Sequence, residues 1–164
     1  MRVYHGSTMV INRPLVQIGR LGLDFGQGFY VTDFKSQAEA WATRMSRIRQ
    51  ENGVVNVYEL DMDRVKHEFK YKCFPEYDMD WLDFIVANRK RQYDGEKFDV
   101  IEGGVANDRV IDTVEAYMSD LMPRDVALRN LKAHRPNNQL CICNQTTVDV
   151  CLEYLETYNI NYYA

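Results

Sequence analysis

The sequence predicts an α+β domain over residues 1–164. Three observations lead there. Amphipathic helical stretches and short runs of alternating apolar residues are interleaved, but without the strict strand–helix–strand alternation of a parallel α/β fold. A chain of 164 residues with 46% hydrophobic and 27% charged residues can bury one ordinary core. No Pro/Gly/Ser-rich linker, internal repeat or low-complexity tract divides it.

The elements follow in order. Residues 2–6 alternate Val3 and His5 against Arg2 and Tyr4, which predicts a short strand. NRPLVQIG is a turn leading to an extended piece, and RLGLDFGQGFYVTD is an irregular glycine-rich loop that ends in a strand at about 28–32. Ser36 is placed as an N-cap, with Glu39 completing a capping box. The helix that follows, 37–50, carries Ala38, Ala42, Met45 and Ile48 on its apolar stripe with Trp41 beside it, and Gly53 is expected to stop it. VVNVYEL reads as a strand, and 66–77 as a loop. A helix over 79–92 turns Trp81, Leu82, Ile85 and Val86 inward, and FDVIEGGVA is a buried strand running into glycine. Asn107 or Asp108 caps a helix over 109–121, and Pro123 is N1 of another reaching about 132. Pro136-Asn137-Asn138 is a turn, QLCIC a strand, 146–156 a helix, and NINYYA an aromatic tail.

Charge and cysteine usage narrow the function classes. The net charge is -4 and the pI about 5.4, so the chain lacks the global cationic field of a nucleic-acid or anionic-membrane binder. Arg89-Lys90-Arg91 reads as a helix end, where cations suit the dipole. The start MRVYHGS lacks the apolar core of a signal peptide, and no run of about 18 apolar residues exists to span a membrane. A cytoplasmic protein is the expectation, with delivery elsewhere as an effector left open. Cys73, Cys141, Cys143 and Cys151 lack zinc-site spacing and read as buried free thiols, and His5, His67 and His134 are too dispersed to argue for a metal. On the late strand, Cys141 and Cys143 are expected on one face with Leu140 and Ile142 on the other.

Two pieces carry chemistry. In His5-Gly6-Ser7, at the end of the first strand, the missing Cβ of Gly6 allows close approach of a flat ligand, and its N–H and C=O together suit a carboxamide. His5 is able to bond a ribose hydroxyl through one ring nitrogen, or else to bond nearby backbone. In DFGQGFYVT, Gly28 leads into Phe29 and Tyr30, which must point to opposite faces, one into the core and one free to stack on a planar ring. The glycine spacing is neither a dinucleotide GxGxxG nor a phosphate loop, and no GxSxG elbow is present.

These residues resemble a known superfamily. YHGS followed by a glycine loop and GFYVT is similar to the first two motifs of the poly- and mono-ADP-ribosyltransferases of the H-Y-E class. With QAEAWA, VANDRVIDTVEAY and RPNNQLCI, the chain resembles more closely a bacterial family of undescribed function placed in that superfamily, over positions 4 to 142. The resemblance implies two small, strongly twisted sheets forming an NAD cleft with flanking helices, NAD as substrate without a metal, and release of nicotinamide. It implies that His5 bonds the adenosine-side ribose, Gly6 holds the nicotinamide amide through its backbone with Ser7 beside it, Tyr30 stacks on nicotinamide, and the Gly22–Gln27 loop is a flexible cover. The third motif departs from the pattern: Gln139 stands where the family has glutamate, keeping the hydrogen bond to the 2′-hydroxyl but losing the charge. Glu102 and Asp108 are other carboxylates of the region, with capping or strand-end roles as their simplest reading. The expected partners are NAD and an unknown acceptor (protein, nucleic acid or small molecule). A catalytically silent NAD or ADP-ribose module, or half of a toxin–antitoxin pair with a partner from a neighbouring gene, are the rival readings.

Overall fold

A computed structural model describes residues 1–108 and 110–160. Two sheets form its centre. The first has the order β1-β3-β7, from Arg2–Ser7, Val54–Leu60 and Leu152–Asn159, all antiparallel. The second has the order β2-β6-β5-β4, from Phe29–Val31, Asn138–Ile142, Val100–Gly104 and Tyr71–Cys73, with only β4 and β5 parallel. The two sheets touch along their edges at one bridge, Tyr4 to Thr32, closed by N–H···O bonds of 2.8 and 3.0 Å.

Residue alternation then sorts the side chains into three layers. Val3, Tyr58 and Leu60 of the first sheet meet Phe29, Val31, Val100, Leu140 and Ile142 of the second in an inter-sheet core. Its end is closed by Val65 of α2 (Met62–Glu68) and by Val148 and Cys151 of α6 (Gln145–Cys151). On the outer face of the second sheet, Ile101 and Cys141 pack with Trp81, Leu82 and Ile85 of α3 (Met79–Arg89), Val114 of α4 (Ile111–Met118), and Ala127 and Leu131 of α5 (Arg124–Leu131). On the outer face of the first sheet, Val55 packs against Ala38 and Ala42 of α1 (Lys35–Arg49). The expected opposition of Leu140 and Ile142 to Cys141 is met. No helix among the described residues is long and apolar enough to cross a membrane.

Several expectations need correcting. Helix α1 starts after Phe34, not Ser36, and has no side-chain cap; Glu39 turns instead to Lys35 and to the Tyr158 hydroxyl. The helix ends at Gln50 in the left-handed region (φ 55°), three residues before Gly53, whose absent side chain leaves room for Ile160. Ile48 is exposed, because the helix buries the face of Ala38, Ala42 and Ser46. Segment 66–77 is a loop only in part: it holds the end of α2, a helix whose start is capped by the Asp61 carboxylate, and β4, which is too short to show a period, before an irregular stretch over 74–77. Helix α4 begins at Ile111 with Val110, not Asn107 or Asp108, as its N-cap residue; position 109 lies outside the described residues. Pro123 is the N-cap of α5 rather than N1. The helix foreseen over 146–156 stops at Cys151, and the chain continues as β7. Of the cysteines, Cys141 and Cys151 are buried, but Cys73 is exposed and Cys143 half-exposed. Of the NINYYA tail, Asn159 ends β7, and residues 161–164 lie outside the described residues.

Candidate functional site

The site lies where the two sheet edges part. Tyr4 spends both its peptide N–H and C=O on Thr32, away from β3. In an antiparallel strand every second residue points its peptide groups the same way. The N–H and C=O of Gly6 therefore face the same edge, one step past the bridge, where β2 has diverged. The Cα of Gly6 meets α1: a Cβ built there would lie 2.1 Å from the Ala38 carbonyl oxygen, 2.6 Å from the Ala42 nitrogen and 3.0 Å from Trp41 Cβ. The close approach that Gly6 permits on its side-chain face is thus to a helix, while its peptide edge stays directed into the gap.

His5 fills part of that gap. Its Nδ1 lies 2.6 Å from the Tyr30 carbonyl oxygen, and its ring packs on Phe29 with centroids 4.6 Å apart. A carbonyl only accepts, so Nδ1 carries the proton, and in the neutral ring Nε2 is left as an acceptor. Burial favours the neutral ring and holds the His5 pKa below its usual value, against a smaller opposing effect of the Tyr30 carbonyl, which favours the charged form. Ser7 accepts from the Met9 N–H at 3.2 Å.

Phe29 and Tyr30 divide as alternation requires. Phe29 enters the inter-sheet core, edge-on to Tyr58. Tyr30 turns to the outer face and stays half-buried. Its hydroxyl donates to the Gly26 carbonyl at 2.7 Å and accepts from the Phe25 N–H at 3.0 Å. Burial is the main cause that raises its pKa, so the phenol stays neutral. Gly28 is packed into the sheet, with Cys141 Sγ 2.4 Å from where a Cβ would be, and so it shapes the strand rather than lining a space. The Gly22–Gln27 loop is held in several places. Phe25 is buried in the outer core, Asp24 pairs with Arg89 at 2.6 Å with both groups largely covered, and the Gln27 amide donates to the Gln17 and Gly19 carbonyls.

Gln139 stands on the same outer face as Tyr30: it pairs with Gly103, and Tyr30 pairs with Cys141 two residues further along β6. It is buried, and its amide makes a long 3.4 Å bond to the Gly104 carbonyl, at the limit of a useful hydrogen bond. Glu102 is on the opposite face, with one oxygen accepting from Asn138 Nδ2 at 2.8 Å and the other from the Tyr71 hydroxyl.

A cavity of about 740 Å³ opens between α1 and the chain that follows β5. Ser36, Gln37, Trp41 and Arg44 of α1 form one wall, and Val105–Asp108 with Asn137 the other. Its α1 wall includes Trp41, which rests on Gly6, and Gln37, whose amide donates to the Asn138 carbonyl at 3.1 Å. His5, Gly6, Tyr30 and Gln139 are not among the residues that line this cavity. Sequence reasoning missed Trp41 and Gln37, because only the docking of α1 on β1 sets them beside Gly6.

The whole arrangement coincides with a matched family. Residues 1–154 match the family described as "protein of unknown function (DUF3990)". The chain belongs to this family. No curated protein and no solved structure matches it. All the site residues named above fall within the part that matches the DUF3990 model, so the site belongs to the family's own domain.

Proposed function

We propose that this DUF3990 domain binds NAD and transfers its ADP-ribose unit to an acceptor, releasing nicotinamide. The observation that carries the reading is the peptide edge of Gly6, without a hydrogen-bond partner among the described residues, at the point where the two sheets part, with His5 and Tyr30 on the adjoining strands. The Gly6 N–H donates to the carboxamide oxygen of nicotinamide, and its C=O accepts from the amide nitrogen. The Tyr30 ring stacks on the pyridinium, and Trp41 faces it from α1. His5 Nε2 accepts from a ribose hydroxyl, and the Gln139 amide meets the 2′-hydroxyl of the nicotinamide-side ribose. The chemistry is cleavage of the bond between ribose C1′ and the nicotinamide nitrogen. The protein acts mainly by holding the dinucleotide in position for attack.

Glutamine at 139 removes one aimed charge, a loss worth about 2.7–4 kcal/mol at a transition state, or roughly 10²–10³ in rate. That suits single-unit transfer better than polymer synthesis. The bond from Gln139 to the Gly104 backbone favours a second reading, a silent NAD-binding module. Incubating the protein and a lysate with labelled NAD separates the two: transfer gives labelled product and free nicotinamide, and Tyr30→Ala brings both to background. Equal labelling by wild type and Tyr30→Ala would end the transferase reading, whereas calorimetric binding of NAD without nicotinamide release would establish the silent module.

A further inference from the structure

We propose that Asp108 supplies the negative charge that Gln139 lacks, facing the ribose C1′ as nicotinamide leaves. This rests on the transferase reading above. Asp108 is the one carboxylate among the described residues that line the cavity between α1 and the 105–108 turn. Glu102, the other acidic residue of the region, has both oxygens engaged and faces the inter-sheet core. Asp108 is exposed and has no hydrogen-bond or ion-pair partner among the described residues; nor does Arg44 on the opposite wall.

The backbone of the turn that carries Asp108 is braced on both sides. The Asn107 N–H donates to the Val105 carbonyl at 2.9 Å, and the Asn107 carbonyl accepts from Val110 and Ile111 at 3.0 and 2.8 Å. The base of the turn is tied to the strand that carries Gln139. The Val105 N–H donates to the Asn137 carbonyl at 2.9 Å. Tyr77 donates to the Val105 carbonyl at 2.6 Å. Trp81 and Gln139 both donate to the Gly104 carbonyl. A carboxylate facing developing positive charge lowers the barrier to its formation.

In the step itself, the C1′–N bond breaks and its electron pair neutralises the pyridinium nitrogen. The cationic C1′ is faced by the Asp108 carboxylate. A lone pair of the acceptor nucleophile forms the new bond to C1′, and the nucleophile's proton passes to Asp108 and on to solvent.

The test compares wild type, Asp108→Asn and the double variant Asp108→Asn/Gln139→Glu, measuring nicotinamide release from NAD and NAD affinity by calorimetry. The expected result for Asp108→Asn is a fall in turnover of about 10²–10³-fold with affinity nearly unchanged. The double variant, which returns a carboxylate to the neighbouring strand, should recover at least about tenfold over Asp108→Asn by the same electrostatic argument. An active wild type with Asp108→Asn equally active overturns this role and leaves the transferase reading standing. Loss of NAD binding along with turnover, or no recovery in the double variant, also overturns it. A wild type that releases no nicotinamide fells the transferase reading, and this role with it.

Discussion

Replacing Gly6 by alanine tests the packing of the site without any ligand. The new methyl would stand 2.1 Å from the Ala38 carbonyl oxygen and 2.6 Å from the Ala42 nitrogen. Both are backbone atoms inside a 15-residue helix, so no side chain can rotate away. Either α1 lifts off β1 or the first strand shifts, and a shift would strain the Tyr4–Thr32 bridge. Overpacking of this kind costs about 1–3 kcal/mol, occasionally more, and rigid atoms on both sides place Gly6→Ala at the upper end. For a domain of this size each kcal/mol lowers the melting temperature by about 2–4 °C, so a drop of roughly 6–12 °C is expected. Urea unfolding should show the same loss through a lower midpoint at unchanged slope. A Gly6→Ala protein melting within about 1 °C of wild type would mean that α1 does not sit on β1 as described, and the cleft built on that contact would fail with it.

Three further outcomes follow from the contacts at the site. Tyr30→Phe leaves the Phe25 N–H without its acceptor and should cost about 1–3 kcal/mol in urea unfolding; an unchanged midpoint would refute the double role of that hydroxyl. Asp24→Asn weakens the largely covered pair with Arg89, and amide exchange at residues 21–27 should quicken about tenfold, the equivalent of 1.4 kcal/mol, while the sheet amides stay protected. His5 has a lowered folded pKa, so both states are neutral above the unfolded value near 6.5. As pH falls past that value, the unfolded chain takes the proton first and stability is lost, until the folded pKa is passed. Stability of wild type should therefore drop more between pH 7.5 and 5.5 than that of His5→Asn, and parallel profiles would refute the burial of a neutral imidazole.

Local pattern made some of this legible and left the rest hidden. The opposite destinations of Phe29 and Tyr30, and of Leu140 and Cys141, follow from the two-residue period of a strand. Segment 152–159 gave no such signal, because Leu152, Leu155 and Tyr158 sit three apart and mimic a helical face. It is a strand because β3 has a free edge to pair with, an effect of tertiary context that propensity cannot see. The start of α1 was misplaced for a similar reason. Thr32 accepts the Phe34 N–H and fixes the chain direction two residues before the Ser36 pattern begins. At the site, glycine at position 6 was readable as a close approach, but the sequence does not say to what. The answer, a helix whose Trp41 then lines the cavity, depends on a contact more than thirty residues away in the chain.

Parting the two sheets leaves the Tyr30 carbonyl without a strand partner, and a buried acceptor in that state costs about 1–3 kcal/mol. The His5 Nδ1–H meets it at 2.6 Å. His5 thus stabilises the very gap in which Gly6 presents its peptide, and its structural and ligand-facing roles sit on different ring nitrogens. His5→Ala would confuse the two roles, since it opens the carbonyl and removes Nε2 together. His5→Asn separates them, because the side-chain amide can place an N–H close to where Nδ1 stands while supplying nothing at Nε2. The expected result is stability at neutral pH within about 1 kcal/mol of wild type, since one neutral hydrogen bond replaces another. NAD affinity should fall about tenfold, the worth of one lost hydrogen bond to the ligand. Unchanged affinity in a stable His5→Asn protein would leave His5 as a brace between the sheets and remove it from the binding site.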